Sequence, residues 1–385
     1  MKIVHLCLGC FFPDNYSYQE NMLPKFHKEL GFDVEVIASL VTFDNDGKST
    51  FLKKGSSYQN EYDIKVTRLD FKQPIKFFQK FKRYCGTYNV IEKAEPDILF
   101  IHGCQFLDMD VIVKYVKNHP KVKVYVDNHA DFSNSASNWL SKNVLHKIIW
   151  RYCAYIIEPY TTKFYGVLPA RVDFLKDIYK LPAEKCDLLV MGADDDKVAE
   201  AKTPEVHATI RSKYGIAEDD FLIMTGGKID PWKKQTLLLM EAVTKIDNPK
   251  VKLIVFGSVT PDLKDEIQNL CVDDKVLYIG WVKSEDSYQY FSSSDLVVFP
   301  GRHSVFWEQV AGLGIPMICK YWEGTTHVDL GGNVEFLQED SVTEILTKIE
   351  TLIQEPVRYL EMKRIASEKG IEMFSYKKIA ERALQ

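Results

Sequence analysis

No run of about 20 consecutive apolar residues occurs in this 385-residue chain, so nothing in it reads as a helix that crosses a bilayer. A large excess of either charge is also lacking. Lys and Arg number 49 against 54 Asp and Glu, and the net charge of -5 offers no general attraction for nucleic acid. The eight cysteines are scattered, mostly among apolar neighbours, and no secretory-type leader precedes Met1-Lys-Ile-Val-His-Leu, which reads as a first strand. Cys7-Leu-Gly-Cys10 is a lone C-x-x-C without a second pair, so core packing of reduced thiols in a cytoplasm is expected, not a zinc site or a disulfide. A G-x-x-x-x-G-K-[ST] phosphate loop is missing, which argues against a kinase or ATPase.

What is present is the composition of a globular enzyme, 46% hydrophobic and 27% charged, in a chain long enough for two domains. Apolar runs alternate with helical patterns. Residues 2–8, 33–39, 64–69, 97–102, 123–128, 164–168 and 188–191 read as strands, with 19–30 and 136–158 helical and 43–62 an irregular polar excursion. A polar segment from Gly192 to about Pro204 reads as a linker. The alternation then restarts, with strands at 221–225, 251–257, 276–279, 295–300 and 317–321 and helices between them. Two tandem Rossmann-like α/β domains facing across a cleft follow, residues 1–195 and 205–365, with helical residues 366–385 finishing the chain.

The stretch Leu296–Glu323 concentrates chemistry. A strand ends at Pro300, and a helix is predicted to open at Ser304 as N-cap and to close at Gly312, Gly314 and Pro316. Such a helix aims unpaired amides at the carboxyl ends of parallel strands, where nucleotide anions bind. Arg302, His303, Trp307, Glu308 and Gln309 crowd its start. Packing alone would account for Phe306 and Val310, but not for these. Further upstream, Thr225-Gly-Gly-Lys-Ile-Asp-Pro-Trp-Lys-Lys234 follows a strand. Gly226 and Gly227 allow close backbone approach, and Lys228 with Lys233 or Lys234 can neutralise a departing diphosphate. Solvated surface lysines are the bland alternative.

Other features divide between function and packing. His102 and His129 lie at strand carboxyl ends, the latter in the more polar surroundings. Asp194-Asp-Asp196 could chelate a divalent cation, but its place in a linker argues otherwise. Phe71–Tyr84 interleaves lysines with phenylalanines and suits either an anionic membrane surface or an amphipathic helix covering the sheet. Residues 136–158 pose the same choice.

These motifs, in this order, resemble the family 4 glycosyltransferases, retaining enzymes of the GT-B type. Gly227-Lys228-Ile229 with Lys233-Lys234 matches the family's glycine-arginine loop, with lysine for arginine. Val255-Phe256-Gly257, Ile279-Gly280-Trp281-Val282, Ser294-Asp295-Leu296 and Glu323-Gly324-Thr325-Thr326 match further family turns, and Met373–Arg382 the closing helix. Of the family's two glutamates, Glu308 matches the second by context while counting from Gly314-Ile315-Pro316 selects Gln309. The first is absent, and His303 stands in its region. The family's paired glycines after the first strand are replaced by Pro13–Tyr18. His129 falls where the family has a histidine near the donor sugar.

The resemblance implies transfer of a sugar from a nucleoside diphosphate-sugar, UDP first among them, to a saccharide or lipid-linked hydroxyl acceptor. It implies retention and no metal or other cofactor. Gly227, Lys228, Lys233, Lys234, Gly257, Trp281, Val282, Ser304, Glu308, Gln309, Gly324, Thr325 and Thr326 would hold the donor, and His129, His303 and Glu308 would act in catalysis. Expected partners are that donor, the acceptor and, through Phe71–Tyr84, an anionic membrane at its cytoplasmic face. Nucleic acid is not among them. A nucleotide-sugar epimerase and a catalytically inactive nucleotide-sugar-binding subunit are the alternatives.

Overall fold

The computed structural model describes every residue except 44–48, 74–78, 80 and 137. The chain forms two compact units, Met1–Val190 with Ile379–Gln385, and Met191–Lys378. Each is a Rossmann-like α/β domain.

In the first unit the strands are β1 (Lys2–Cys7), β2 (Asp33–Ala38), β3 (Val41–Phe43), β4 (Ser49–Phe51), β5 (Ser57–Gln59), β6 (Lys65–Arg68), β7 (Ile98–His102), β8 (Lys123–Asn128), β9 (Thr161–Gly166) and β10 (Cys186–Leu188). Eight of them make one sheet in the order 10-9-8-7-1-2-6-5, parallel except where β5 pairs antiparallel with β6 at the edge. β1 and β7 pair in the centre, Ile3 beside Ile98 and Leu6 beside Ile101. Their side chains are buried on both faces because helices cover both, which is why these strands read as continuous apolar runs. The excursion expected over 43–62 is partly ordered instead: β3 and β4 pair as a hairpin, and β5 extends the main sheet. Residues 74–78 and 80 of the basic aromatic stretch lie outside the described residues. Its ends meet, Phe71 bridging Tyr84 with their rings stacked at 5.1 Å.

The second unit has β11 (Phe221–Gly226), β12 (Val251–Phe256), β13 (Val276–Tyr278), β14 (Leu296–Phe299), β15 (Met317–Lys320) and β16 (Val334–Leu337), all parallel in the order 13-12-11-14-15-16. Strand order reverses between β11 and β14. That switch point leaves a crevice at the strand carboxyl ends, where open sheets of this kind bind ligands.

The segment 192–204, read from sequence as a linker, is partly helical. It contains the helix Asp195–Ala201, and a second helix, Pro204–Lys213, begins at its end. Asp194 caps the first helix through the amide of Asp196, and Asp195 accepts from the amide of Lys377 at 3.0 Å and from the hydroxyl of Ser375 at 2.5 Å. Capping and tethering explain the acidic run without a metal.

Candidate active site

Two glycine turns build the crevice of the second unit. Gly227 (φ 131°) and Gly257 (φ 129°) occupy backbone conformations that side chains disfavour. They are laced together, the amide of Gly227 donating to the carbonyl of Phe256 (3.1 Å) and that of Ile229 to Ser258 (2.8 Å). A Cβ on Gly257 would stand 1.8 Å from the Gly227 carbonyl oxygen, so only glycine fits there. The close approach opens a pocket lined by Gly226, Gly227, Lys228, Lys233, Thr236, Gly301, Arg302 and Ser304.

Three cations gather at this pocket. Burial lowers the Lys233 ammonium below its ordinary range, with Asp230 opposing and the positive charges of Lys228 and Arg302 adding to the fall. Lys228 is mostly exposed, its Nζ 3.4 Å from Asp230. Arg302 stacks its guanidinium over the Trp232 ring at 5.4 Å. Like charges held together in a half-enclosed glycine pocket repel one another, and an anion relieves that repulsion. Lys234, one residue on, is exposed and lies outside the pocket, near Asp340. The sequence offered Arg302 as part of a crowd but gave it no role; its place at the end of β14, beside the glycine turn, became visible with the strand order.

Ser304 lines the pocket but does not cap the helix. The helix runs Phe306–Leu313 with Val305 at its N-cap and no side-chain cap, and it is the Ser304 carbonyl that accepts from Trp307. The helix start is displaced by one residue, from an N-cap at Ser304 to one at Val305. Gly314, with φ 74°, closes it as expected.

Glu308 lies on the first turn of that helix and is completely buried. Its Oε1 accepts from Nε2 of His303 and from Nε2 of His327, each at 2.8 Å. Burial would raise this carboxyl; the two imidazoles outweigh that and hold it down at about 2. Glu308 Oε2, His327 Nδ1 and Gln309 Oε1 are buried and have no hydrogen-bond partner among the described residues. They leave acceptors for which a bound hydroxyl is a suitable donor. The sequence reading missed His327. Gly324 in the left-handed conformation, Thr325 bonded to the Trp322 carbonyl, and the turn Thr326–Val328 deliver it after β15. These three predicted phosphate residues therefore build the turn that carries His327, and they do not line the lysine pocket. Trp281 and Val282 follow β13; Trp281 is 67% exposed, and neither lines that pocket.

In the first unit, His129 follows β8. Its Nε2 is buried 3.4 Å from Asp127 Oδ2 and 3.7 Å from Glu20 Oε1, while the side chain keeps 27% exposure on its other atoms. Burial lowers the His129 pKa, but the two carboxylates raise it further, so the net shift is upward. Asp127 also accepts from His102 Nδ1 at 2.7 Å. Two groups, His303 with Glu308 and His327, and His102 with Asp127 and His129, each bring three potential ligand atoms within 4.8 Å. In both, attraction between imidazole and carboxylate accounts for the approach, and we assign no ion to either.

Residues 206–318 match the family model for glycosyl transferases group 1. An uncharacterized glycosyltransferase of Methanocaldococcus jannaschii is 25% identical over 170 residues, 42% of this chain and 41% of that protein. The alpha-monoglucosyldiacylglycerol synthase of Streptococcus pneumoniae is 24% identical over 257 residues, 64% of this chain and 56% of that protein. The chain thus spans about half the length of these curated relatives. Among solved structures, Anabaena HepE in complex with UDP superposes with a TM-score of 0.68 at 17% identity, covering 99% of this chain and 98% of that one. The chain thus shares the two-domain GT-B fold, and within it residues 206–318 are similar to the group 1 glycosyl transferases.

Proposed function

We propose that this protein transfers a sugar from a nucleoside diphosphate-sugar, with UDP as the first candidate nucleotide, to a hydroxyl acceptor with retention of configuration. The observation that carries this reading is the convergence of Lys228, Lys233 and Arg302 on the glycine pocket at the strand switch point. Breaking a glycosyl–phosphate bond leaves a diphosphate that gains negative charge, and fixed cations in a desolvated pocket stabilise it more than water does. These three groups supply that charge, so turnover should not require a divalent metal. Glu308 holds a donor hydroxyl through Oε2, with His303 and His327 fixing its orientation through Oε1. His129 serves the acceptor side. The departing phosphate takes the acceptor's proton on the same face, so a strong protein base is not needed.

A lipid-linked acceptor fits a feature of the first unit. Trp139, Leu140, Ile148, Tyr152 and Tyr155 are exposed on the helical segment before β9. Residues 132–157 include Lys142, Lys147 and Arg151 and no acidic residue. Exposed aromatics among basic groups suit an anionic membrane surface. We place the protein in glycolipid or surface polysaccharide assembly at the cytoplasmic face.

The test is product analysis. The protein is incubated with UDP-glucose, UDP-galactose, UDP-N-acetylglucosamine and GDP-mannose, with and without diacylglycerol vesicles or oligosaccharides, in EDTA. Nucleoside diphosphate release that rises with one acceptor supports the reading. Epimerised donor with no acceptor dependence would assign an epimerase, and binding without turnover across the panel an inactive subunit.

A further inference from the structure

Three buried imidazoles in the first unit stand in a row between two acceptors. His27 Nε2 donates to the carbonyl of Ala380 (3.0 Å), and His27 Nδ1 meets His5 Nε2 (3.0 Å). His5 Nδ1 meets His102 Nε2 (3.0 Å), and His102 Nδ1 meets Asp127 Oδ2 (2.7 Å). All four side chains are entirely buried. The rings overlap, His5 stacking on His27 at 5.1 Å and on His102 at 5.3 Å between centroids.

Counting protons fixes the state of this row. A carbonyl oxygen only accepts, and so does a carboxylate. Between these ends lie four contacts, each needing one proton. Three neutral imidazoles carry three. With three, two lone pairs would face each other inside the core, an arrangement that costs as much as an unmade buried hydrogen bond. The row therefore binds a fourth proton, and its counter-ion, Asp127, draws the positive charge to the adjacent ring, His102. His27 and His5 are then both neutral with the proton on Nε2, and His102 is protonated on both nitrogens. Electrostatics agree with the count: Asp127 raises His102 to about 9 against the effect of burial, while burial lowers His5 and brings His27 to about 4.

We propose that His5, His27 and His102 are positioning residues whose fixed four-proton row keeps Asp127 ionised and thereby sets which nitrogen of His129 is held at the Asp127 and Glu20 carboxylates. The proposal rests on the acceptor-side role given to His129 above. The other titratable or charged groups facing the row are Glu20 from the helix Gln19–Glu29, the thiols of Cys7 and Cys10 at the end of β1, and Arg171 from the helix Pro169–Asp177. None of them occupies a contact within the row.

The experiment is a long-range proton–nitrogen correlation spectrum of the full chain labelled with nitrogen-15 in its histidine rings, from pH 6 to pH 8. The count predicts His5 and His27 neutral with the proton on Nε2 and His102 doubly protonated, with no change across this range. A neutral His102, or His5 or His27 carrying its proton on Nδ1, would overturn it. The variant His27→Phe leaves two contacts, which two neutral rings can satisfy. There His5 should move its proton to Nδ1 and, with both proteins followed to pH 10, the midpoint of His102 should fall by at least about one pH unit, while that of His129, relieved of the positive charge on His102 beside an ionised Asp127, should rise. An unmoved His129 would overturn the positioning role. If the variant does not fold, the spectrum of the unaltered protein still decides the proton count. None of these readouts needs turnover, so absence of activity would count against the proposed function and not against this row.

Discussion

Replacing Glu308 by glutamine tests the buried site of the second unit most sharply. The carboxyl sits at about 2 against an ordinary value of 4.5, and the group is wholly buried, so solvent screening does not reduce the effect. Roughly 2.5 pH units at about 1.36 kcal/mol each is about 3 kcal/mol by which the site, with the two imidazoles overcoming burial, favours the ionised form over a neutral one. The amide of the Glu308→Gln variant would resemble the neutral form. Urea unfolding at pH 7 should therefore show the variant about 3 kcal/mol less stable. The pH dependence has a definite sign. A depressed carboxyl contributes fully above about 4.5 and loses its contribution as pH falls through about 2, so the gap between the proteins should close on acidification. A variant within about 0.5 kcal/mol of the parent at pH 7 would refute the claim that His303 and His327 hold this carboxylate.

Further outcomes follow from the same geometry. Gly257→Ala, which drives a methyl group into the Gly227 carbonyl, should cost at least about 3 kcal/mol by calorimetric melting and abolish nucleotide binding; a melting temperature near the parent's would contradict the interlocked turns. Since His102 is raised to about 9 from 6.5, its contribution to stability is complete below 6.5 and lost as pH rises through 9; a melting temperature flat from pH 7 to 10 would contradict this. Sedimentation with vesicles rich in anionic lipid should retain the parent and lose most binding in a Trp139→Ser, Ile148→Ser, Tyr155→Ser variant, whereas equal binding would remove that helix as the membrane face.

Much of this architecture was legible because strands buried on both faces are written as apolar runs and glycine turns at their ends are conspicuous. The helix Asp195–Ala201 was not legible because Asp194-Asp-Asp196 looks equally like a polar connector and a helix start. Capping at Ser304 failed for a related reason: a good N-cap residue does not fix where the loop ends. The choice between Lys233 and Lys234 needed the direction in which the helix Gln235–Lys245 begins. His327 could not be foreseen from sequence, since 19 positions and a sheet crossing separate it from Glu308. Nor could the row of His5, His27 and His102, whose members meet only because β1 lies between β2 and β7 and the helix Gln19–Glu29 packs over it.

The central claim is that the glycine pocket of the second unit holds a nucleoside diphosphate. Isothermal titration with UDP, GDP and ADP in EDTA tests it directly, using the parent, Lys233→Ala and Arg302→Ala. The account predicts measurable binding of one diphosphate, weakened at least about tenfold in each variant, which is about 1.4 kcal/mol of lost interaction. Binding of none by the parent, or equal affinity in all three proteins, would contradict it.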